Sequence, residues 1–150
     1  MRKIEKPTLY ATVGLPRCGK STWALSRWEQ LRAPIVCPDA IRLAIHGRPF
    51  VAAMEPVVWQ ATKNMVKALF LAGHEAVILD ATNTTKIRRK EWISPDWKTV
   101  WVVFPIDVKL CLSRLTKKNK ILKQVIIKMA KIYQTPTSSE GEISVWCSGR

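Results

Sequence analysis

The sequence predicts an α/β protein in which a parallel sheet is covered by helices on both faces. Three observations indicate this fold class. Short apolar runs alternate with helix-like segments along the 150 residues. A glycine-rich turn joins the first apolar run to the first helix. Polar residues follow directly after the apolar runs, at the edge where open parallel sheets bind their ligands.

The glycine-rich turn carries the most recognisable pattern. It lies between "TLYATV", a strand at Thr8–Val13, and "STWALSRWEQLR", a helix. Gly14 and Gly19-Lys20-Ser21 fit the G-x-x-x-x-G-K-[ST] spacing of a P-loop. Such glycines let backbone N–H groups point at phosphate oxygens, beside the positive end of the helix. Lys20 is expected to reach the β- and γ-phosphates, and Ser21 to ligate Mg²⁺.

The alternative is a tight strand-to-helix turn with an incidental lysine, but the flanking strand and helix favour a nucleoside triphosphate site. The residues assigned to the nucleotide in this turn are Gly14, Leu15, Pro16, Arg17, Cys18, Gly19, Lys20, Ser21 and Thr22.

The next elements alternate as the fold class requires. A short strand at 35–37 leads into a helix that ends near Gly47, and a long helix covers 55–73. Pro56 suits the first turn of the long helix, and Gly73 suits its C-terminal cap. The face predicted to be buried is Val58, Ala61, Met65, Leu69 and Ala72. The remaining strands are predicted at 76–80, 99–104 and 142–146, and the remaining helices at 85–92, 108–115 and 122–133.

Carboxylates follow two of the strands. Asp39 and Arg42 form Asp-x-x-Arg, and a carboxylate there can accept the proton of a hydroxyl that attacks a γ-phosphate. Asp39 could instead only cap the helix. Asp80 ends a buried strand, where it could orient Mg²⁺ or its water, hold a P-loop hydroxyl, or only shape a turn. Thr82 and Asn83 either bind substrate or shape the same turn.

A basic cluster lies between the two helices predicted near the C-terminus. We expect it to form a lid that closes over the β- and γ-phosphates and stabilises the transferring charge. A solvated charged loop is the alternative. The residues of the cluster are Arg114, Lys117, Lys118 and Lys120.

Tryptophans are frequent in this chain. They are predicted to be core residues, although one of them could stack on a base. The candidates are Trp59, Trp92, Trp97 and Trp101.

The charge points to a polyanionic partner. The chain has 25 Lys and Arg against 11 Asp and Glu, a net charge of +14. This balance favours nucleic acid, although it also suits a solubilising surface. The length predicts one domain over residues 1–150. No apolar run reaches the roughly 20 residues of a membrane span, and the N-terminus lacks a secretory apolar core.

The four cysteines show no metal-ligand spacing, so we expect reduced thiols in a cytoplasmic protein. Cys18 lies beside Lys20 and a helix N-terminus, which should favour the thiolate. It is therefore expected to be the most reactive of the four. The others are Cys37, Cys111 and Cys147.

Several stretches carry a joint pattern over residues 8–146: "GLPRCGKSTW", "CPDAIRLAIHG", "GHEAVILDATN", and "CLSRLTKKNK" with "VIIKMAKIY" and "TPTSSEG". Together they resemble the P-loop kinases of the polynucleotide 5′-kinase family, especially the kinase domain of the phage end-healing kinase-phosphatase and its bacterial relatives. The resemblance implies a five-stranded parallel sheet, a basic helical lid, and Mg²⁺-dependent transfer of the γ-phosphate of ATP or GTP to a 5′-OH end of DNA or RNA.

The resemblance also implies roles for single residues. Lys20 and Ser21 match the phosphate and magnesium residues, and Asp39 matches the general base. Arg42 matches the arginine that holds a phosphate of the acceptor strand. Arg114 and Lys118 match two lid arginines, although a lysine lacks the bidentate fork.

The family likeness further implies the cytoplasm of a bacterium or of a phage-infected host cell. No phosphatase or ligase domain is expected in this chain, so separate proteins would complete end repair. A homo-oligomer stays open as an assembly state.

Two other functions stay open. One is a kinase for a small molecule such as a nucleoside or a sugar, although a small neutral acceptor needs no broad basic surface. The other is a nucleic-acid-binding NTPase without transfer, against which the pairing of Asp39 with Arg42 argues.

Overall fold

The computed structural model describes residues 4–147 and contains one five-stranded, fully parallel sheet with the strand order β2-β3-β1-β4-β5. The predicted α/β class and the five parallel strands are confirmed. The strands are β1 (Thr8–Val13), β2 (Ile35–Val36), β3 (Ala76–Leu79), β4 (Lys98–Val103) and β5 (Glu142–Val145).

Helices follow the strands in the predicted alternation. They are α1 (Lys20–Leu31), α2 (Pro38–His46), α3 (Glu55–Leu71), α4 (Lys86–Lys90), α5 (Val108–Ser113) and α6 (Leu122–Ile132). The basic stretch between α5 and α6 contains a short 3-10 helix, Lys117–Asn119. None of the helices within residues 4–147 combines the length and the apolar character needed to cross a membrane.

The sheet has a buried core on each face because successive side chains of a strand point to opposite sides. On one face, Leu9 and Val77 pack with residues of α3 such as Val58 and Val66. On the other face, Ile78 and Val102 pack with Trp23 and Ala24 of α1. This two-sided burial explains why β1, β3 and β4 are almost continuously apolar.

The predicted buried face of α3 is confirmed at Val58, and Ala61 and Leu69 pack against the core, but other positions differ. The fully buried positions are Val58, Thr62 and Val66, whereas Met65 is 46% exposed. Thr62 tolerates burial because its hydroxyl donates to the carbonyl oxygen of Val58, at 2.7 Å. A threonine whose hydroxyl is hydrogen-bonded to a carbonyl of its own helix can be buried like an apolar residue, although the sequence alone marks it as polar.

Candidate active site

The turn after β1 has the backbone of a phosphate-binding loop. Gly19 has a φ of +106°, which a residue with a Cβ rarely adopts, and it immediately precedes α1. Gly14 is required by close contact, because a Cβ there would lie 2.6 Å from the Cys18 Sγ and 3.0 Å from the Phe104 Cβ. Both glycines therefore permit a loop that side chains would block.

Lys20 is the first residue of α1 and is only 8% exposed. Its ammonium group donates to the carbonyl oxygen of Leu15 at 2.6 Å, across the mouth of the loop. Leu15 is fully buried and packs with Cys111 and Ile126 beneath the loop. The lysine is thus held at the cradle, where a phosphate can replace the carbonyl as its partner.

Ser21 and Asp80, the two residues predicted to hold magnesium, contact each other. The Ser21 hydroxyl donates to Oδ2 of Asp80 at 2.7 Å, and Asp80 directly follows β3. Oxygen ligands suit Mg²⁺, which usually keeps water and phosphate oxygens as its other ligands. Within residues 4–147, no three His, Cys, Asp or Glu side chains gather to hold a metal by themselves. One hydroxyl and one carboxylate therefore fit Mg²⁺ that arrives with a nucleotide.

Asp39 and Arg42 lie on α2, one turn apart. Cys37 is the N-cap of this helix, so Asp39 does not cap it and lies in its first turn. The Asp39 carboxylate is 84% exposed and accepts a hydrogen bond from Nη1 of Arg42 at 2.7 Å. The pair therefore offers an accessible base held in place by a guanidinium.

Glu55 is the missing third member of this group. Arg42 donates through Nε and Nη2 to the two carboxylate oxygens of Glu55, at 2.9 and 2.7 Å. The Arg42 side chain is 13% exposed. Burial opposes its charge, but the hydrogen bonds and charge of Glu55, with the charge of Asp39, outweigh burial and raise the pKa of Arg42. Glu55 was not predicted from the sequence, because thirteen positions separate it from Arg42. The available signal was the place of Glu55 in the first turn of a long helix.

Strand pairing brings the base and the magnesium residues to one edge. The backbone N–H of Asp80 donates to the carbonyl oxygen of Val36 at 2.9 Å. Asp39 follows Val36 by three positions, and Asp80 contacts Ser21 of the P-loop helix. The three predicted groups therefore lie along the same carboxyl edge of the sheet, as the strand-end rule requires.

The stretch after Asp80 is held by buried hydrogen bonds. Thr12 Oγ1 donates to the carbonyl oxygen of Ala81 at 2.7 Å, and the Asn83 side-chain amide donates to the carbonyl oxygen of Thr12 at 2.9 Å. Asn83 is fully buried and has a φ of 44°. Its side chain thus shapes the loop instead of facing a substrate, which corrects one of the two roles left open for it. Thr82 is half-buried, and its carbonyl oxygen accepts from the N–H of Gly14.

Arg89 supports the same stretch from below. The sequence predicted a short helix at 85–92, and within it Arg89 is 0% exposed. It donates to the carbonyl oxygen of Asn83 at 2.9 Å and pairs with Glu140 at 2.8 Å. Glu140 lies far along the chain in a short 3-10 helix, so local patterning could not reveal the partner that makes this burial tolerable.

Arg114 and Lys118 occupy different positions. Nη1 of Arg114 donates to the carbonyl oxygen of Arg17 at 2.9 Å, so this guanidinium lies directly over the P-loop. Lys118 is exposed on the 3-10 helix between α5 and α6, beyond the residues that line the P-loop cavity. The structure therefore brings only the first of the two predicted lid cations to the phosphate cradle.

A cavity of about 460 Å³ opens over the P-loop. Residues 17–22 and Arg114 are among its lining residues, whereas Gly14, Leu15 and Pro16 are not. Trp146 also lines the cavity; it follows β5, and the guanidinium carbon of Arg27 lies 4.9 Å from its ring centroid. Sequence reasoning did not assign Trp146 to the site, although its position just after a strand was a usable signal.

Cys18 does not carry the lowered pKa expected of it. Burial raises the pKa of its thiol, and the nearby charge of Lys20 offsets this only in part. The Lys20 ammonium lies 3.7 Å from the sulfur, which packs against the small apolar cluster of Leu15, Cys111 and Ile126. The expected thiolate is therefore wrong, because burial of the sulfur outweighs the charge of Lys20 even though Cys18 borders the cavity.

Comparison with solved structures confirms the fold. A chain of the Pnkp1/Rnl/Hen1 complex aligns with a TM-score of 0.68 and 24% identity, covering 79% of this chain and 44% of that one. A chain of the Pnkp1/Rnl/Hen1 RNA repair complex aligns with a TM-score of 0.67 and 21% identity over 90% of this chain and 50% of that one. This chain thus spans half or less of the length of those two.

Small-molecule kinases are similar as well. A sugar kinase from Janibacter sp. HTCC2649 aligns with a TM-score of 0.67 and 13% identity, covering 94% of this chain and 84% of that one. Shikimate kinase from Acinetobacter baumannii aligns with a TM-score of 0.55 and 15% identity over 97% and 85% of the two chains. These similarities establish a P-loop kinase-like fold and leave the acceptor substrate open.

The family assignment comes from the sequence itself. No curated protein matches this chain. The AAA domain family AAA_33 matches residues 9–133, which include the P-loop, the Asp39–Arg42 pair, Asp80 and the lid cations. Because the match covers most of the chain, the protein belongs to the AAA domain family AAA_33.

Proposed function

We propose that this P-loop kinase domain transfers the γ-phosphate of ATP or GTP to the 5′-hydroxyl of a DNA or RNA strand. The arrangement of Asp39, Arg42 and Glu55 beside the P-loop edge carries the proposal. It provides an exposed carboxylate to accept a proton, and next to it a fixed guanidinium that can bind a phosphate of the acceptor.

The chemical step assigns one task to each group. Asp39 accepts the proton of the attacking 5′-hydroxyl. The hydroxyl oxygen bonds to the γ-phosphorus, while the bond between the γ-phosphorus and the bridging oxygen of the β-phosphate breaks. Lys20 and Arg114 stabilise the charge that moves onto the leaving nucleoside diphosphate. Ser21 and Asp80 would hold Mg²⁺, which supplies further neutralisation of the phosphates.

The distribution of charge supports a polyanionic acceptor. Residues 108–139 contain no Asp or Glu, and their basic residues are Lys109, Arg114, Lys117, Lys118, Lys120, Lys123, Lys128 and Lys131. This segment includes α5, α6 and the basic stretch between them, next to the P-loop cavity. A broad cationic surface of this kind attracts phosphate backbones. The similarity to chains of an RNA repair complex agrees with such an acceptor.

The test is transfer of label from γ-labelled ATP or GTP. The acceptors are 5′-OH DNA and RNA oligonucleotides, the same oligonucleotides bearing a 5′-phosphate, and a panel of nucleosides, sugars and shikimate. We expect label only on 5′-OH oligonucleotides, and only when Mg²⁺ is present.

Two variants assign the transfer to this site. Lys20→Ala should abolish transfer, and Asp39→Ala should lower kcat by about a hundredfold or more while ATP binding survives, because Asp39 acts on the acceptor. Label on a small molecule but not on oligonucleotides would show that the acceptor is a small molecule and not a polynucleotide. Near-normal turnover by Asp39→Ala would show that Asp39 is not the general base.

A further inference from the structure

A second cavity, of about 570 Å³, lies next to the Arg42 group and away from the P-loop lining. Glu55 connects the two places, because it holds Arg42 and also lines this cavity. Its other lining residues include Phe50, Trp59, Lys63 and Arg88. Glu55 therefore defines a route from Arg42 toward the cavity.

Trp59 organises the cations on this route. The guanidinium carbon of Arg88 lies 4.0 Å from the centroid of the Trp59 ring, and that of Arg42 lies 5.7 Å away. Contacts of this kind orient a guanidinium over an aromatic ring while its N–H groups stay available for an anion. Lys63 lies one helical turn beyond Trp59 on α3, at the same cavity. Arg42 and Arg88 thus lie over the Trp59 ring, and Lys63 lines the same cavity as Arg88; we call these three residues the row of cations.

Phe50 adds an exposed aromatic surface to the cavity. It precedes α3 and is 63% exposed. An aromatic ring left in water beside a row of cations is the combination with which proteins bind single-stranded nucleic acid, since bases stack on the ring while phosphates meet the cations. A neutral sugar would use neither the row of cations nor the stacking surface, and shikimate, a small anion, would not use the stacking surface to this extent.

We infer that this cavity, which we call the Trp59 cavity, binds the acceptor strand beyond its first phosphate. The inference rests on the proposed function and extends it. The 5′-terminal nucleoside lies at Asp39, its 3′-phosphate lies at Arg42, and the next nucleotide enters the Trp59 cavity. There its base stacks on Phe50, and its phosphate is held by Arg88 and Lys63.

The carboxylates of the cavity set how strongly it binds. Glu55 is committed to Arg42, while Glu91 is exposed at the lining and repels an entering phosphate. Recognition therefore depends on stacking and on a few placed cations, and binding should be moderate and sensitive to salt. Removal of the Glu91 charge is a variant that should strengthen binding.

The experiment compares acceptors that end before and after the Trp59 cavity. The short acceptor is a nucleoside 3′-phosphate, and the long one is a pentanucleotide with a 5′-OH. The normal protein should show a KM at least about tenfold lower for the long acceptor. Phe50→Ala should raise that KM about fivefold or more, the effect of one lost stacking contact, and leave the KM of the short acceptor unchanged. Phe50→Tyr, which keeps the ring, should restore the low KM.

Charge variants provide a second, activity-independent measurement. Fluorescence anisotropy should follow binding of the pentanucleotide as salt is raised. Arg88→Ala and Lys63→Ala should each weaken binding, and each should reduce the slope of log affinity against log salt by about 0.7. Glu91→Gln should tighten binding. Lys67→Ala removes an exposed cation one turn further along α3 and should change neither the affinity nor the slope.

The outcomes separate this inference from the proposed function. If oligonucleotides are phosphorylated but the KM values for short and long acceptors are equal and insensitive to Phe50→Ala, the strand does not use the Trp59 cavity, while the proposed function stands. If a small molecule is phosphorylated and no oligonucleotide is, both the proposed function and the inference about the Trp59 cavity are wrong. A loss of binding in Lys67→Ala as large as in Lys63→Ala would also overturn the inference, because it would indicate charge without a defined site.

Discussion

Arg42 and Glu55 form a bidentate ion pair in which Nε and Nη2 of the guanidinium face the two oxygens of the carboxylate, at 2.9 and 2.7 Å. Such a fork fixes the plane of the guanidinium as well as its position. Nη1 is left to point at Asp39, 2.7 Å away. The orientation of the candidate base therefore depends on a residue that touches neither the P-loop nor Asp39 directly.

Glu55→Gln should weaken use of the acceptor more than use of the nucleotide. The amide removes the charge and one of the two acceptor oxygens, so Arg42 loses its fixed plane. We expect a KM for 5′-OH oligonucleotide raised about tenfold, an unchanged KM for ATP, and a free energy of unfolding lower by about 1–3 kcal/mol. In a double-mutant cycle with Arg42→Ala, the two effects on the acceptor KM should be strongly non-additive. Additive effects would show that the residues act independently.

Asp80→Asn should change the dependence on Mg²⁺. The asparagine can still accept the hydrogen bond of Ser21 but carries no charge to attract the cation. Steady-state rates measured across a Mg²⁺ titration should show a half-maximal concentration raised about tenfold, with partial recovery of the rate at high Mg²⁺. An unchanged titration curve would limit Asp80 to anchoring Ser21.

The lid cations should contribute unequally. Arg114 lies over the P-loop, so Arg114→Ala should lower kcat by about a hundredfold, the scale of a lost charge-stabilising donor. Lys118 is exposed beyond the cavity lining, so Lys118→Ala should lower kcat only a few-fold. Lys118→Arg restores the fork and should preserve or raise turnover. Equal losses from the two alanine variants would require a closed lid that carries both cations to the phosphates.

Cys18 should be among the slower thiols to react with an alkylating agent. Burial raises its pKa, and the sulfur packs below the P-loop. Cys147 is exposed, so limited alkylation at neutral pH followed by mass spectrometry should find the label first on Cys147. Bound Mg²⁺–ATP should not alter that order. Preferential, nucleotide-sensitive labelling of Cys18 would restore the expectation drawn from its neighbours in the sequence.

Glu140 should make the fold sensitive to acid. Its burial favours the neutral carboxyl, but the hydrogen bond from Arg89 and the backbone N–H of Thr137 outweigh burial and lower the pKa of Glu140. The stabilisation is therefore complete above the unfolded pKa of about 4.3 and is lost as pH falls through the lower folded value.

Urea unfolding at pH 7 and at several values below pH 5 tests this dependence. Glu140→Gln leaves the charge of buried Arg89 without its ion pair and should cost about 3 kcal/mol at pH 7. The difference between variant and normal protein should shrink as the pH is lowered. A difference that does not change with pH would mean that the Arg89–Glu140 pair is not the titrating interaction.

Features encoded by neighbouring residues could be predicted from the sequence. The P-loop, the order of strands and helices, and the contact of Ser21 with Asp80 follow from local spacing and from the rule that ligands bind at strand ends. The ends of α3 followed from Pro56, which lies in its first turn, and from Gly73, which follows the C-cap residue Ala72 and has a φ of +97°. The first two signals act within a few residues, whereas Ser21 and Asp80 are 59 positions apart and are joined only by the strand-end rule.

Features that depend on distant partners could not be predicted. Burial of the Arg89 charge requires Glu140, and the orientation of Arg42 requires Glu55 from another helix. The Cys18 thiol was judged from the charges beside it in sequence, whereas the packing of Leu15 and Ile126 decides its environment. In each case tertiary contacts outweigh the local pattern.

The strand order also has a consequence for how the chain folds during synthesis. β1 emerges first, yet its two neighbours are β3 and β4, so that Thr8 pairs with Ala76 and with Lys98. Pairings between residues so far apart slow folding, because long loops must close before the contacts form. A nascent chain that has emerged only as far as α4 contains the complete P-loop sequence. It still lacks β4, one of the two strands that pair with β1, the strand before the P-loop. Binding of nucleotide should therefore begin only after most of the chain has left the ribosome.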